Sequence, residues 1–386
     1  MQKSNILLVD DYEVNLELLE AYLELSGIPM QIYRAYNCAE AYACVEKVSL
    51  DLILLDVMLP DGSGYDVCRS LKGFYAYQSI PIIILTALND KQSMLEGLQA
   101  GADEFLTKPV DSHELILRVK NLLKMKAIAN DLDQRYSQLH RELVIATELQ
   151  KSFLPRTVPA YDGVHLEVLY RPSSYIGGDF YDFIQIDDDH LGILICDVKG
   201  HGVASAMITA TIKFQMYDLR QYYRLPDQLL GHLNDRLEQF FSSTANDYFV
   251  TAVYGVLDLE QNRFFYSNAG HSSPYLCDRD SLISLENQQG LPLGILPGMA
   301  YDCQQVVLRQ GQELFLYTDG IFEIALRGKA AKSCSSLMDF FDGAELPIGL
   351  AQVHQLQQEI RQYTGSHQIA DDVNYIVVRI EEQEEA

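Results

Sequence analysis

Short apolar runs alternate with helical segments through the first 124 residues of the chain. The runs are typical of buried strands and occupy Ile6–Val9, Met30–Tyr33, Leu52–Leu55, Ile82–Leu85 and Glu104–Leu106. Segments with helical spacing of apolar residues lie near 14–25, 38–48, 64–72, 91–100 and 112–124. Because parallel strands are usually connected by helices, this alternation predicts an α/β domain with a doubly wound, five-stranded parallel sheet.

Polar residues stand at the exits of four of these runs. Asp10 and Asp11 follow the first run, Asp56 the third, Thr86 the fourth and Lys108 the fifth. In sheets of this kind, ligands bind beyond the carboxyl ends of the strands. Carboxylates and a free carbonyl suit Mg²⁺, and an aspartate beside a metal can accept a phosphoryl group whose charge a lysine neutralises. Helix N-caps and a surface lysine explain each residue alone, but they explain the five together poorly.

The segments ILLVDD, LDVMLPDGSGYDVC, PIIILTA and GADEFLTKP resemble the receiver domain of bacterial response regulators over about residues 4 to 124. The resemblance implies that Asp56 is the phosphoacceptor. It also implies that Asp10, Asp11, Asp56 and the carbonyl of Met58 bind Mg²⁺, and that a sensor histidine kinase is a partner. It further assigns Thr86 and Phe105 as a switch pair. Lys108, which Pro109 follows, is assigned as the lysine that pairs with the phosphate.

A stretch without glycine or proline follows, from Met125 to Phe153. Its apolar side chains are three, four or seven residues apart, and Arg135 and Glu142 interrupt the pattern. The apolar members of this seam are Met125, Ile128, Leu132, Leu139, Ala146, Leu149 and Phe153. The seam predicts a coiled coil that continues the last receiver helix and forms a homodimer; the alternative is one amphipathic helix packed on its own domain. The predicted domains are 1–124, a helical connector at 125–154, and 155–386.

After Pro155 the pattern changes to longer alternating strands with two successive helices. The candidate strands are His165–Tyr170, Leu191–Cys196, Tyr248–Leu257, Arg263–Ser267, Glu313–Tyr317 and Val373–Ile380. The helical segments lie at about 201–219 and 227–242. Runs of strands with grouped helices predict an α+β domain in which helices cover the sheets.

Aspartates recur where these strands begin or end. Asp179 lies in GGDFYD, Asp197 ends the apolar run ILIC, Asp319 lies in YTDG, and Asp371 and Asp372 precede the last strand. Each cluster alone is a common turn or loop sequence. Together they indicate hard cations with oxygen ligands, and two such cations about 3.5–4 Å apart can activate water and stabilise phosphoryl oxygens.

The segments GGDFYD, DVKGHG, GHSSPYL, LPLGI, LYTDG and DDVNYIVVR resemble PPM (PP2C-like) serine/threonine phosphatases of the SpoIIE and RsbU type, over about residues 143 to 381. The preceding ELVIATELQKSFLP resembles their regulatory entry helix. The resemblance implies a β-sandwich flanked by helices and two Mn²⁺ or Mg²⁺ ions. Asp197 would bridge both ions with help from the Val198 carbonyl, Asp319 and Asp371 would complete one site, and Asp179 would hold a metal-bound water. Possible second-layer or structural residues are Asp182, His271 and Asp372.

Two positions depart from that pattern. Lys199 stands where the residue is usually small, and Asn374 replaces the threonine of DDxT. Lys199 is interpreted as a solvated loop lysine rather than a phosphate ligand, and His201 as a structural residue at a helix start rather than a proton donor. Because neither departure removes a proposed metal ligand, we expect an active enzyme.

Composition narrows the function further. The net charge of −25 argues against nonspecific nucleic-acid binding, which needs a basic face. The chain has no apolar run long enough to span a membrane, and its start lacks the features of a signal peptide. Its seven cysteines are scattered without CxxC spacing, which favours reduced thiols and a cytoplasmic location.

These observations predict a response regulator in which phosphorylation of Asp56 controls a metal-dependent phosphatase. The resemblance implies a phosphoserine or phosphothreonine protein substrate, most plausibly an anti-sigma-factor antagonist with a STAS fold. The alternative is a catalytically weak phosphatase-like module that binds and sequesters a signalling partner. The intact acids at 179, 197, 319 and 371 argue against that alternative.

Overall fold

The computed structural model describes residues 3–87, 96–97, 99–200, 202–243, 247–285, 290–322, 349–366 and 369–381. The chain forms two compact units, Met1–Leu139 and His140–Ala386. In the described part of the chain, no helix is long and apolar enough to cross a membrane.

The first unit contains the predicted five-stranded parallel sheet. Its strands are β1 (Ser4–Val9), β2 (Met30–Ala35), β3 (Leu52–Asp56), β6 (Ile82–Thr86) and β7 (Glu104–Thr107), in the order β2-β1-β3-β6-β7. A two-stranded pair, β4 (Met58–Leu59) and β5 (Gly62–Ser63), follows β3. The helices are α1 (Glu13–Glu24), α2 (Cys38–Lys47), α3 (Gly64–Gly73) and α4 (Ser112–Phe153). The doubly wound fold is confirmed; the helix predicted near 91–100 lies mostly outside the described residues.

Alternate residues of the central strands face opposite helical layers. Ile6 and Leu8 of β1 pack with side chains of α1 and α4, whereas Leu7 and Val9 pack with those of α2 and α3. Both faces of the sheet are therefore buried, which is why the strands read as continuous apolar runs rather than alternating ones. Since the faces are occupied, polar groups of the sheet are accessible at its ends.

Helix α4 continues the last receiver helix into the connector, as the sequence predicts. It runs without interruption for 42 residues, through the end of the predicted receiver and the predicted connector. The division between the compact units falls inside it, after Leu139, so the domain boundaries at 124 and 154 stay predictions. Five side chains of the predicted seam are more than half exposed: Met125, Ile128, Leu132, Leu139 and Leu149.

The second unit contains two five-stranded antiparallel sheets. The strands are β8 (Val164–Arg171), β9 (Asp179–Gln185), β10 (His190–Val198), β11 (Val250–Asp258), β12 (Arg263–Ala269), β13 (Tyr275–Asp278), β14 (Ser281–Ser284), β15 (Gln304–Val307), β16 (Glu313–Tyr317) and β17 (Val373–Ile380). One sheet has the order β15-β12-β11-β10-β9 and the other β14-β13-β16-β17-β8. The helices are α5 (Val203–Asp218), α6 (Pro226–Phe241) and α7 (Leu350–Ser366), with a short 3-10 helix at Arg220–Tyr222.

Three apolar clusters hold these layers together. The inner faces of the two sheets share one cluster, in which Ile193 and Ile195 of β10 meet Ile376 and Val378 of β17. The outer face of the first sheet packs on α5 and α6, and the outer face of the second packs on α7. The predicted β-sandwich flanked by helices is therefore confirmed.

The sequence predicts six strands of this unit, and the ends of each lie within about two residues of those in the structure. The elements without a sequence prediction are β9, β13, β14, β15 and α7. Strand β9 carries two aspartates in DFYDFIQ, which hides its alternation, because both of its faces carry polar as well as apolar side chains. Strands β13, β14 and β15 are only four residues long, which is too short for a clear period.

Candidate functional sites

The carboxyl ends of the parallel strands bring the predicted receiver acids together. Asp10 and Asp11 follow β1, and Asp56 is the last residue of β3. Carboxylate oxygens of the three residues all lie within 4.8 Å of one another. Such a set of closely spaced oxygen ligands suits Mg²⁺, which binds through a few carboxylates and keeps several waters.

Lys108 ties two of these acids together. Its ammonium group lies 2.7 Å from Asp10 Oδ2 and 2.9 Å from Asp56 Oδ2. Burial raises the pKa of Asp56 above its usual value, and the Lys108 hydrogen bond opposes that shift. Burial acts to lower the pKa of Lys108, but its hydrogen bonds to the two carboxylates raise it overall. The lysine therefore stays charged at the point where an added phosphoryl group would need a cation.

Asn15 is a partner of this site without a sequence prediction. Its side-chain amide donates to both oxygens of Asp10, at 2.9 and 3.1 Å, and the backbone N–H of Tyr12 donates to the same carboxylate at 2.9 Å. These donors orient Asp10, which is fully buried. Asn15 lies on α1, five residues after Asp10, and this spacing belongs to no motif that would have identified it.

The other predicted receiver residues lie near the same edge of the sheet. Thr86 is the buried last residue of β6, and Phe105 of β7 pairs in register with Ile84. The side chain of Met58 in β4 is 72% exposed. The ligand that the resemblance assigns at this position is the backbone carbonyl. The roles that the resemblance gives to these three residues stay predictions.

In the second unit, the acids gather at one end of the sandwich. Asp197 near the end of β10 pairs in register with Asp179 at the start of β9. Both face the opposite sheet, because the residues two positions along, Ile195 and Tyr181, belong to the apolar cluster between the sheets. In the other sheet, the end of β16 pairs with the start of β17, so Asp319 and Asp371 flank the same strand ends.

Two glycines allow the backbone to close around these acids. A Cβ on Gly178 would lie 2.8 Å from the carbonyl oxygen of Val198, and one on Gly320 would lie 1.9 Å from that of Asp372. Any other residue would force the segments apart. The first contact brings the loop before Asp179 against the loop after Asp197, and the second brings the turn after Asp319 against the segment that begins at Asp371.

Burial and the neighbouring acids raise the pKa values of Asp179 and Asp197. Burial, followed by the charges of Asp319, Asp371 and Asp372, raises the pKa of Asp197 to about 7. Burial and the neighbouring Asp197 and Asp372 raise the pKa of Asp179 well above its usual value. Among the described residues, no lysine or arginine forms an ion pair with Asp179, Asp197 or Asp319. A cluster of this kind binds divalent cations favourably, because the cation removes the repulsion.

Asp372 has a structural role at this end. Its carboxylate accepts hydrogen bonds from the backbone N–H groups of Ser173, Gly178 and Asp179, at 2.7, 2.5 and 3.3 Å. It therefore fixes the loop that leads into β9. Thr318, which has no predicted role, donates a 2.6 Å hydrogen bond to Asp179; its position directly before Asp319 is the available signal in the sequence.

The structure does not bring Asp182 to the acidic cluster. Asp182 lies three residues after Asp179, so it points to the opposite face of β9, where it forms a 2.7 Å ion pair with Lys213 of α5. Lys199 is exposed and donates to the Asp247 carbonyl at 3.2 Å, with its ammonium group 5.1 Å from the centre of the Phe249 ring. His201 lies outside the described residues.

Two buried side chains beside the cluster have polar atoms without a partner among the described residues. These atoms are Nε2 of His271 and both amide atoms of Asn374. Nδ1 of His271 lies 2.8 Å from the hydroxyl of Thr251, which pairs in register with Asp197. Burial lowers the pKa of His271 to about 4, so the imidazole is neutral. Buried polar groups normally have partners, so these two side chains are exceptions among the described residues.

Comparisons with known proteins divide the chain in the same way. The family model for the response regulator receiver domain matches residues 6–120, and the model for stage II sporulation protein E (SpoIIE) matches residues 187–381. The response regulator PleD of Caulobacter vibrioides is 39% identical over 143 residues, which are 37% of this chain and 31% of PleD. The phosphoserine phosphatase RsbP of Bacillus subtilis is 27% identical over 241 residues, 62% of this chain and 58% of RsbP.

This chain thus spans less than two thirds of either relative. The solved structure of the SiaA-PP2C domain of Pseudomonas aeruginosa covers 64% of this chain and 98% of that domain, with a TM-score of 0.50 and 22% identity. At that identity, the likeness supports the PP2C fold of the second unit and nothing further.

Asp197→Asn is expected to stabilise the metal-free protein at high pH. The folded pKa of about 7 lies above the ordinary value of 3.8, so ionisation costs folding free energy. That cost is absent below about pH 4, grows as pH rises to about 7, and is fully present above it. Because asparagine stays neutral, we expect the free energy of unfolding of the variant in EDTA to exceed that of wild type by about 2–4 kcal/mol at pH 8. At pH 4 the two free energies of unfolding should be nearly equal.

Urea unfolding at both pH values measures this difference. Asp302→Asn is the matched control, because it removes the same charge from an exposed position. A variant at position 197 that is less stable than wild type at pH 8 in EDTA would contradict the repulsion within the cluster.

Proposed function

Because this chain belongs to the SpoIIE family of PP2C-like phosphatases and carries a receiver domain at its N-terminus, we propose that it is a response regulator whose output is a metal-dependent protein phosphatase. The observation that carries this proposal is the convergence of Asp179, Asp197, Asp319 and Asp371 at one end of the sandwich. Burial and mutual repulsion raise the pKa of Asp197 to about 7, so the cluster favours cations.

Asp197, Asp319 and Asp371 would hold two Mn²⁺ or Mg²⁺ ions, with the Val198 carbonyl as a further ligand. When bound, two such ions supply activated water and stabilise the oxygens of the phosphoryl group. The protein's own groups position the ligands. Thr318 orients Asp179 through its 2.6 Å hydrogen bond, and Asp372 holds the loop before β9.

The proposed substrate is a phosphoserine or phosphothreonine on a partner protein. The relative RsbP, whose match covers 62% of this chain, is named a phosphoserine phosphatase. We propose an anti-sigma-factor antagonist with a STAS fold as the partner, on the basis of the resemblance to the RsbU type.

The receiver unit is proposed to accept phosphate at Asp56 from a sensor histidine kinase. Asp10, Asp11, Asp56 and the Met58 carbonyl would hold Mg²⁺. Lys108 already lies 2.9 Å from Asp56, where it can neutralise the phosphoryl charge. Thr86 and Phe105 are the proposed switch pair that responds to it.

Helix α4 is the proposed route from the phosphorylated receiver to the phosphatase. Its residue Gln150 is buried and binds both backbone groups of Gly177: the amide donates to the carbonyl at 2.7 Å, and the N–H of Gly177 donates back at 3.1 Å. Gly177 lies two residues before Asp179. A shift or rotation of the helix would therefore move the loop that carries a catalytic carboxylate.

Hydrolysis of p-nitrophenyl phosphate by the full chain with Mn²⁺ tests the phosphatase. We expect Asp197→Asn and Asp319→Asn each to lower turnover more than about 100-fold, because loss of a ligand exceeds the 10–100-fold effect of outer-shell partners. Asp302→Asn is the control and should match wild type. Wild-type turnover in both ligand variants would refute the metal site, and an inactive wild type that binds a phosphoprotein would favour the sequestering module.

Acetyl phosphate with Mg²⁺ should label wild type but not Asp56→Asn, because an amide cannot form an acyl phosphate. The label is measured by intact-protein mass and should be released by neutral hydroxylamine. Asp66→Asn, at an exposed position of α3, should label like wild type. A hydroxylamine-stable label that persists in Asp56→Asn would place the modification elsewhere.

Leu132→Glu with Leu139→Glu should separate a dimer into monomers and uncouple turnover from acetyl phosphate. Both leucines are exposed, at 67% and 55%, and a second copy of the helix would bury them. Burying a charge at such a seam costs several kcal/mol unless it finds a partner. Turnover without acetyl phosphate should remain, because the acids of the phosphatase are unchanged.

Light scattering and turnover with and without acetyl phosphate check this expectation. The control is Ser137→Glu with Val144→Glu, which adds the same charges at the same seven-residue spacing on the opposite side of the helix. If the seam variant keeps wild-type mass and wild-type regulation, the helix is a passive tether.

A further inference from the structure

A cleft of about 630 Å³ opens beside the acidic end of the second unit. One wall is the end of α4, and the other is the segment from Tyr170 to Tyr175 at the end of β8. Ile369 closes a third side. The volume lies within the range of about 300–1,000 Å³ that is usual for ligand sites, and it exceeds what a single phosphate group fills.

The cleft shares structure with the catalytic acids. Arg171 on its wall pairs in register with Val373, directly after Asp372. The backbone N–H and the hydroxyl of Ser173 both donate to Asp372 Oδ1, at 2.7 and 2.9 Å. The cleft wall is therefore joined through Ser173 to Asp372, the neighbour of the proposed ligand Asp371, which places the cleft at the acidic end of the sandwich.

Two cations line this cleft in a chain whose net charge is −25. Arg171 is exposed, and its side chain makes no ion pair or hydrogen bond within the described residues. Lys151 lies 3.4 Å from Glu148, but both side chains are more than half exposed, so that pair contributes little. A guanidinium without a partner binds a carboxylate through two parallel hydrogen bonds.

We propose that this cleft binds acidic side chains that flank the phosphorylated residue of the protein substrate. Arg171 is the main contact and Lys151 the second. Ser174 and Thr147 also line the cleft, but their hydroxyls already donate to backbone carbonyls of Ile176 and Tyr175, so the two cations carry the recognition. This inference rests on the proposed phosphatase function and adds the substrate class: phosphoproteins with aspartate or glutamate near the phosphoserine or phosphothreonine.

Two synthetic phosphoserine peptides test the inference with the full chain and Mn²⁺. One carries glutamate at the three positions on either side of the phosphoserine, and the other carries glutamine there. Wild type should prefer the acidic peptide in kcat/KM. Arg171→Gln should reduce that preference about three- to ten-fold, mainly through KM, and Arg171→Lys should restore part of it.

Arg263→Gln is the matched control. Arg263 begins β12 and pairs with Asp258, which pairs with His190 at the start of β10, so it lies at the end of the sandwich opposite Asp197. The preference of Arg263→Gln for the acidic peptide should equal that of wild type. The urea midpoint of each variant shows whether it is folded; if Arg171→Gln fails to fold, Lys151→Gln takes its place with an expected loss of about two- to three-fold.

The outcomes separate the inference from the function on which it rests. Loss of activity by Arg171→Gln toward both peptides in equal measure, or no loss at all, overturns the inference while the phosphatase function stands. Hydrolysis of p-nitrophenyl phosphate but of neither peptide by wild type overturns the proposed protein substrate, and the inference with it. Two results together support the inference. Arg171→Gln loses the preference for the acidic peptide but keeps its activity toward the glutamine peptide, and 0.5 M NaCl abolishes the preference of wild type.

Discussion

Repulsion among carboxylates held at one end of the β-sandwich is the constraint on which the second unit depends. Asp179 and Asp197 lie opposite each other on neighbouring strands, and Asp319 and Asp371 flank the paired ends of two strands in the facing sheet. The apolar cluster between the sheets holds these strands in register, and so it places the acids at the same end of the sandwich although their charges oppose it. The folding free energy of the sandwich thus holds in place the acids that are the proposed cation ligands.

The loops around the site follow from the same arrangement. Gly178 and Gly320 let backbone segments approach where a Cβ would collide, and Asp372 satisfies three backbone N–H groups of the loop before β9. The two aspartates before the last strand therefore have different roles: Asp371 is a proposed ligand, whereas Asp372 fixes the segment that presents Asp179. A substitution at either position would disturb the site by a different physical route.

In the receiver unit, a lysine of the chain itself offsets the repulsion among three aspartates. Its three aspartates are as close as those of a metal site, but Lys108 binds two of them, and Asn15 and a backbone N–H orient Asp10. Asp179, Asp197 and Asp319 of the second unit have no such lysine within the described residues. Helix α4 is the element common to the two units, and Gln150 connects it to the loop before Asp179.

The sequence alone determined the fold class of both units and the positions of most strands, because buried parallel strands and alternating antiparallel strands leave different apolar periods. It also identified the acids, since acidic residues at the ends of several strands form a distinctive pattern. Tertiary structure decided which acids meet. The odd spacing of Asp182 from Asp179 sends it to Lys213 on the opposite face, and the partners Asn15, Gln150 and Thr318 contact their targets only after folding. Such hydrogen bonds join residues without a shared period or motif, so no pattern along the chain reveals them.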